Sequence, residues 1–231
     1  MVATKGTSAT YRELLPEASR DSVDWIARKG LQIEGARVLE VGCGRASTAL
    51  LLQEQGARVA TFDIGLPAVH HARADGLRVF LGDANAMPSK DGILDLIVSV
   101  NVVCHLANPR VFFDEALRVL RPGGLVYITW TNWLSPHGGH DFAPYHYLGP
   151  RRGYRVALRM KRKERFVQVP YDSLWPNHIG PTLGKMREAG FHVLDVRPRY
   201  YPSLSLICRV PLVREFLTWN CQVLLQKPSR D

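Results

Sequence analysis

Over residues 21–130, short apolar runs stopped by glycine or aspartate alternate with longer amphipathic stretches. Residues 38–41 are apolar apart from Glu40, rich in valine and followed by Gly42, which predicts a buried strand. From Ala46 the composition turns helical and stops at Gly56, a suitable residue just past a helix end. The alternation continues with a strand at 58–63, a helix at 67–75, and strands at 78–83 and 93–100. A helix at 109–120 follows, its apolar face built from Val111, Phe112, Ala116, Leu117, Val119 and Leu120. Residues 121–124, Arg-Pro-Gly-Gly, read as the turn that ends this helix and leads into a strand at 125–130. Upstream, residues 21–30 read as a short helix with an acidic start and a basic end, and residues 1–20 as loosely structured.

The pattern breaks at 131–178, which is rich in Trp, Pro, His, Gly and Tyr without clear periodicity. It resumes with a helix at 181–189 and a strand at 191–196, breaks again at 197–218, and ends on a strand at 219–226. Strands alternating with helices predict an α/β fold: a doubly wound, mostly parallel sheet of seven strands. The expected organisation is one domain over 1–231, with a core at 36–130. Insertions at 131–178, after strand five, and at 197–218, before the last strand, are the candidate substrate lids. Insertions that follow strands in such a fold lie at the carboxyl edge, where ligands bind.

Composition narrows the class. With 46% apolar residues in 231, the chain can bury an ordinary core. The four cysteines, Cys43, Cys104, Cys208 and Cys221, are scattered, with no C-x-x-C pair, so reduced thiols are expected. No apolar h-region opens the chain and no 18-residue apolar run follows, which points to a soluble, cytoplasmic protein. Net charge is +9 and uneven: residues 151–165 hold eight cations, opposed there only by Glu164.

The glycine turn carries the first chemistry. In Glu40-Val-Gly42-Cys43-Gly44-Arg-Ala46, no Cβ at 42 or 44 blocks an approaching ligand, and the following helix offers bare N–H groups. A dinucleotide fingerprint is G-x-G-x-x-G/A. Here an acidic residue precedes the first glycine and Ala46 follows Gly44 by two. A carboxylate facing the loop repels a pyrophosphate and suits a ligand with cationic groups. Asp63 ends strand two about twenty residues after the turn, where an acidic side chain accepts from ribose hydroxyls. A plain turn aspartate is the alternative.

This stretch resembles motif I of the class I S-adenosylmethionine (SAM) methyltransferases, E/D-x-G-x-G-x-G, with Ala46 in place of the third glycine. Asp83-Ala84, with Asn85 and Met87, resembles the motif that meets the adenine amino group, against the alternative of an Asx-turn ending the strand. Asn101-Val102 stands where the family lines the methionine end, and the stretch 118–124 resembles its post-helix turn. The resemblance implies SAM as cofactor, held by Glu40, Gly42, Cys43, Gly44, Asp63, Ile64, Asp83, Ala84, Asn101 and Val102. Trp133 to His140, His146 to Gly149, Pro198-Arg-Tyr and the stretch 210–217 are similar to a group of actinobacterial methyltransferases of largely unassigned substrate. A small-molecule acceptor is expected, such as a sugar-bearing, lipid-linked or secondary-metabolite hydroxyl. An RNA methyltransferase and a non-catalytic SAM- or nucleotide-binding protein are the alternatives, with an NAD-dependent oxidoreductase disfavoured by Glu40 and the glycine spacing.

An alcohol acceptor benefits from a base, and histidine suits neutral pH. His105 follows strand four and His140 lies in the insertion after strand five; they are the candidate catalytic residues. A base of ordinary histidine pKa gives a pH–rate limb near 6–7. His137, His140, Asp141 and His146 form a cluster open to pocket, metal or local structural readings; its spacing matches no structural zinc signature, and no metal is expected. The basic segment reads as a solvated face, or as a surface for a phosphate-bearing acceptor, an anionic membrane or RNA. Tyr154, Val156, Leu158, Met160 and Phe166, interleaved with its cations, fit an amphipathic or interfacial helix. The apolar segment 200–218 fits an acceptor cover, a homodimer contact or core.

Overall fold

β1 (Arg37–Val41) lies at the middle of a seven-stranded sheet, flanked by β2 (Arg58–Asp63) and β4 (Leu94–Val100). The computed structural model describes residues 9–44 and 46–229, with side chains from residue 16 onward. With β3 (Arg78–Leu81), β5 (Leu120–Thr131), β6 (His192–Pro198) and β7 (Asn220–Gln226), the strand order is β3-β2-β1-β4-β5-β7-β6. Only β7 is reversed, pairing antiparallel with both β5 and β6. The carboxyl ends of β1 to β6 therefore share one edge, and the strand order switches direction between β1 and β4.

The two faces of the sheet are read by alternation along each strand. Leu39, Val41, Ile97, Val126, Ile128 and Trp130 pack with α4 (Pro109–Val119) and α6 (Ile179–Glu188) on one side. Val38, Leu96, Val98, Leu125 and Tyr127 face α1 (Ala9–Arg28), α2 (Ser47–Glu54) and α3 (Leu66–Ala74) on the other. Both faces are covered, so β1 is buried along nearly its whole length.

Three expectations change. Residues 9–20 are helical, because α1 is one long helix rather than a short one; residues 1–8 lie outside the described residues. Among its described side chains the buried stripe runs through Ala18, Ser19 and Ser22, small residues that give no strong apolar period, before Val23, Trp25 and Ile26. Residues 121–124 are not a separate turn. They are the bulged start of β5, where Leu94 pairs with Leu120 and Leu96 already pairs with Leu125. Arg121 and Arg37 both bind Asp95 on the partner strand, at 2.6 and 3.3 Å, which fixes the bulge.

The insertion at 131–178 has its own order: short 3₁₀ turns at His140–Phe142 and Tyr145–Leu148, then α5 (Pro150–Met160). Trp133, Phe142, Ala157, Phe166 and Leu174 form a small core with Cys104, which roots the insertion on the turn after β4. The second insertion contains a 3₁₀ stretch at Pro202–Arg209 and α7 (Pro211–Leu217). Both leave from the carboxyl edge. No helix among the described residues is long and apolar enough to cross a membrane.

Candidate active site

After β1 the backbone turns sharply through Gly42 and Gly44, at φ +73° and +47°. The two glycines are needed for different reasons. A Cβ at position 42 would run into the Val102 side chain, so the loop after β4 presses directly on the turn. A Cβ at 44 would meet nothing within 4 Å; it would project into open space. The Gly42 and Cys43 N–H groups both donate to the Phe62 carbonyl, at 2.9 and 3.2 Å, and tie the turn to β2. Ala46 adopts φ +52°, a left-handed conformation that glycine would take more readily. Cys43 is buried, and desolvation, with the nearby Asp63 and Glu40 charges, pushes its thiol up to about 12. It stays protonated and serves as packing.

Asp63 sits beside the open side of the turn. Its Oδ2 accepts from the Gly44 N–H at 3.3 Å and its Oδ1 from the Gly65 N–H at 2.7 Å. Ile64, next in the chain, is 77% exposed. Asp83 is exposed after β3, where its Oδ1 accepts from both the Asn85 backbone N–H and side-chain amide, at 2.9 and 3.0 Å. It forms the Asx-turn weighed in the sequence, and Ala84 beneath it is buried. An open turn, a carboxylate at its rim and an exposed aliphatic side chain suit a ligand with vicinal hydroxyls and a flat apolar ring.

Glu40 corrects the sequence argument. Its side chain does not face the loop: the residue is 2% exposed. Thr61 Oγ1 donates to its backbone carbonyl at 3.1 Å and lies 3.4 Å from its carboxylate. Burial pushes the carboxyl up to about 8, against the Thr61 bond and the Ala49 backbone N–H that favour the charge. A buried, largely protonated glutamate cannot repel a pyrophosphate as an open carboxylate would. Arg199 is close enough for its charge to act on Glu40 and is itself buried, with Ser19 Oγ 3.5 Å from its guanidinium.

Asn101 also turns inward. It adopts φ +58°, a conformation asparagine tolerates better than most residues. Its N–H donates to the Thr129 carbonyl at 2.9 Å, and its Oδ1 accepts from the Asn220 amide at 2.7 Å. That side chain therefore knits β4 to β5 and β7, and Val102 is the neighbour that meets the glycine turn.

His105 closes the 3₁₀ turn at Val103–His105, with Nδ1 2.6 Å from the Ser173 carbonyl. That contact makes Nδ1 the protonated nitrogen and leaves Nε2 for other partners. The Cys104 sulfur and the Ser173 carbonyl favour the charged ring and, against desolvation, raise its pKa above the ordinary histidine value. A limb at pH 6–7 is therefore the wrong expectation for this residue. His140 behaves oppositely: desolvation first, then the charges of His105 and His146, push it down to about 4. Its Nε2 is buried without a hydrogen-bond partner among the described residues. His105 and His140, far apart in sequence, thus lie within electrostatic reach of each other.

The structure divides the rest of the histidine cluster. His146 is buried, with Nε2 3.0 Å from the Ser135 carbonyl and its ring edge-on to Trp133, a structural role. His137 stacks on Trp219, with ring centroids 4.0 Å apart, and Tyr200 lies against the same indole. Sequence reasoning did not single out Trp219 or Tyr200 as a pair, because β7 and the second insertion bring them together. It also missed the strap at 173–177. There the Trp175 N–H donates to the Cys104 carbonyl at 2.7 Å and the Asn177 amide to the Val103 carbonyl at 3.2 Å. A separate cavity of about 440 Å³, between α1, β6 and residues 202–209, is lined by none of the candidate site residues.

A family model described as a methyltransferase domain matches residues 39–128. Over 214 residues the chain is 34% identical to an uncharacterized methyltransferase of Mycolicibacterium gilvum, covering 89% of this chain and 81% of that protein. It is 32% identical over 210 residues to one from Mycobacterium leprae, covering 87% and 76%. Among solved structures, an S-adenosylmethionine-dependent methyltransferase from Mesorhizobium loti aligns with a TM-score of 0.63 at 19% identity, covering 90% of this chain and 100% of that one. This last likeness is one of fold.

Proposed function

The chain belongs to the SAM-dependent methyltransferases, and from that premise we propose that it methylates a hydroxyl of a small-molecule acceptor, sugar-bearing, lipid-linked or a secondary metabolite. The observation that supports the reading is His105, exposed in the turn after β4 with its Nδ1 2.6 Å from the Ser173 carbonyl, three residues past the Val102 that meets the glycine turn.

SAM supplies an activated methyl carbon on a sulfonium sulfur. The chain's own residues do the rest. Gly44 would leave space for the ligand, Asp63 would accept from the ribose hydroxyls, Ile64 would flank the adenine, and the Asp83-Ala84 turn would border its amino group. Val102 shapes the methionine end from across the turn. Asn101 and Glu40 support this edge from behind, Asn101 by fixing β4 to β7 and Glu40 by filling the space beside Thr61.

In the transfer, an acceptor oxygen forms a bond to the methyl carbon as the carbon–sulfur bond breaks, and the hydroxyl proton must leave. His105 takes that proton on Nε2, with Nδ1 held by Ser173. His140 is the second candidate: it is neutral at pH 7 and too weakly basic to compete while His105 can be deprotonated. A charge on either ring discourages one on the other, so the pair carries at most one positive charge, held on His105, and His105 acts as base once that charge is lost above the ordinary histidine range. Incubating the protein with SAM and hydroxyl-bearing acceptors, and measuring S-adenosylhomocysteine with and without His105→Ala, tests the proposal. Turnover lowered in the variant supports it, and equal turnover removes His105.

A further inference from the structure

The first insertion carries a charge that the reaction at the sheet edge does not use. Most of the run at 151–165 is α5, and small residues mount that helix on the protein. Gly153 and Ala157 are buried, and a Cβ at Gly153 would run into the Tyr145 carbonyl. Below them, Phe142, Phe166 and Trp133 anchor the insertion to Cys104. The opposite face is therefore held in a fixed direction. Arg152, Arg155 and Arg159 stand exposed on it, at helical spacing. None of these three makes an ion pair among the described residues; in the basic run only Arg165 does, with Asp172 at 3.2 Å.

Large aliphatic side chains stand in water along the same stretch of chain, Leu148 on a groove with the three arginines. Leu148 is 55% exposed, Met160 64% and Val167 46%. A groove of about 370 Å³ runs between Leu148, Val156 and the three arginines. A merely solvated face accounts for the cations but not for the aliphatic residues among them. RNA would also satisfy the cations and could stack on the half-exposed Tyr147 and Tyr171, but it leaves the exposed aliphatic Leu148, Met160 and Val167 without a partner. A bilayer surface satisfies both sets at once: cations meet lipid phosphates while aliphatic side chains enter the boundary with the acyl chains.

We propose that α5 and its flanks dock on an anionic membrane, with a lipid phosphate in the groove beside Leu148 and Arg155. The inference stands apart from the choice of hydroxyl acceptor, since docking needs no turnover. The docking surface belongs to the insertion that leaves the carboxyl edge where β5 ends.

Flotation of the full chain with vesicles tests this. Vesicles of phosphatidylcholine mixed with phosphatidylglycerol should bind the protein, pure phosphatidylcholine should not, and binding should weaken as salt rises. Each cation near an anionic surface contributes roughly fivefold, so the triple variant Arg152→Gln, Arg155→Gln, Arg159→Gln should lose on the order of 100-fold in vesicle affinity. A second triple variant, Leu148→Ser, Met160→Ser, Val167→Ser, should lose roughly tenfold or more on vesicles while binding polyuridylate no differently. An unchanged melting temperature shows that each variant is folded, and Arg155→Glu replaces any that is not. No binding to anionic vesicles, or equal binding to neutral ones, overturns the proposal. So does a serine variant that floats like the wild type while polyuridylate competes fully, which would mark a polyanion site instead.

Discussion

The Asp63 carboxylate joins two backbone turns, accepting from Gly44 N–H at 3.3 Å and from Gly65 N–H at 2.7 Å. It therefore holds the rim of the glycine turn in place, with its charge where we propose that a ribose binds. Asp63→Ala should weaken SAM binding by about 1.5–3 kcal/mol, the scale of a lost hydrogen bond to a charged group. Isothermal titration measures this directly, and an unchanged affinity would take Asp63 out of the cofactor site.

The two glycines of the turn should fail differently. Gly44→Val places its side chain in open space, so the protein should fold, with a strain of about 1 kcal/mol from its positive φ, and should lose SAM binding. Gly42→Val drives a side chain into Val102 and should destabilise the fold by about 2–4 kcal/mol, combining overpacking with backbone strain. Denaturant melts and SAM titrations of both variants separate the two effects. A Gly44→Val protein that binds SAM normally would show that the ligand does not pass this point.

Glu40 makes a prediction about stability against pH. Its carboxyl ionises near the usual carboxylate value in the unfolded chain and at about 8 in the folded one. Between those values the folded chain holds the extra proton, so this contribution is complete below the unfolded value. It is lost as pH rises and levels off above about 8. The loss is a few kcal/mol, at 1.36 kcal/mol per unit of pKa difference. Glu40→Gln should remove it, so the wild-type-minus-variant stability difference should fall from pH 5 to 8. A flat difference would mean that Glu40 is charged in the folded protein.

His105 should reveal itself in the pH–rate profile. Because Cys104 and Ser173 favour its charged form, the basic ring appears only above the ordinary histidine range, and kcat should rise with pH on the alkaline side of 7. His105→Ala should lower kcat by at least about tenfold, abolish that limb and leave SAM affinity nearly unchanged. A variant with wild-type kcat and profile would mean that alignment alone suffices and that water takes the proton.

The core was readable in the sequence because glycines punctuate it: the stops at Gly42, Gly56, Gly76 and Gly190 mark element ends that the structure keeps to within a residue or two. The first half of α1 hid because its described buried side chains open on Ala18, Ser19 and Ser22, and α5, which the sequence offers only as one reading of the basic segment, is seated by Gly153 and Ala157 rather than by large apolar residues. Glu40 was misread because the sequence shows a carboxylate before the glycines but not which way the strand faces. The Ser173 contact of His105 spans 68 residues and follows from the strap at 173–177, which no local pattern announces. The nearness of His105 and His140 is likewise a product of the insertion's own small core.

The proposed function requires transfer of a methyl group to oxygen at this edge. The most direct measurement is mass spectrometry of products formed from methyl-deuterated SAM and a set of hydroxyl-bearing sugars, lipid-linked sugars and secondary metabolites. A labelled methyl ether should form in step with S-adenosylhomocysteine and be lost in His105→Ala. Label on nitrogen or carbon, label in RNA instead of small molecules, or SAM bound without turnover in any acceptor class would contradict it.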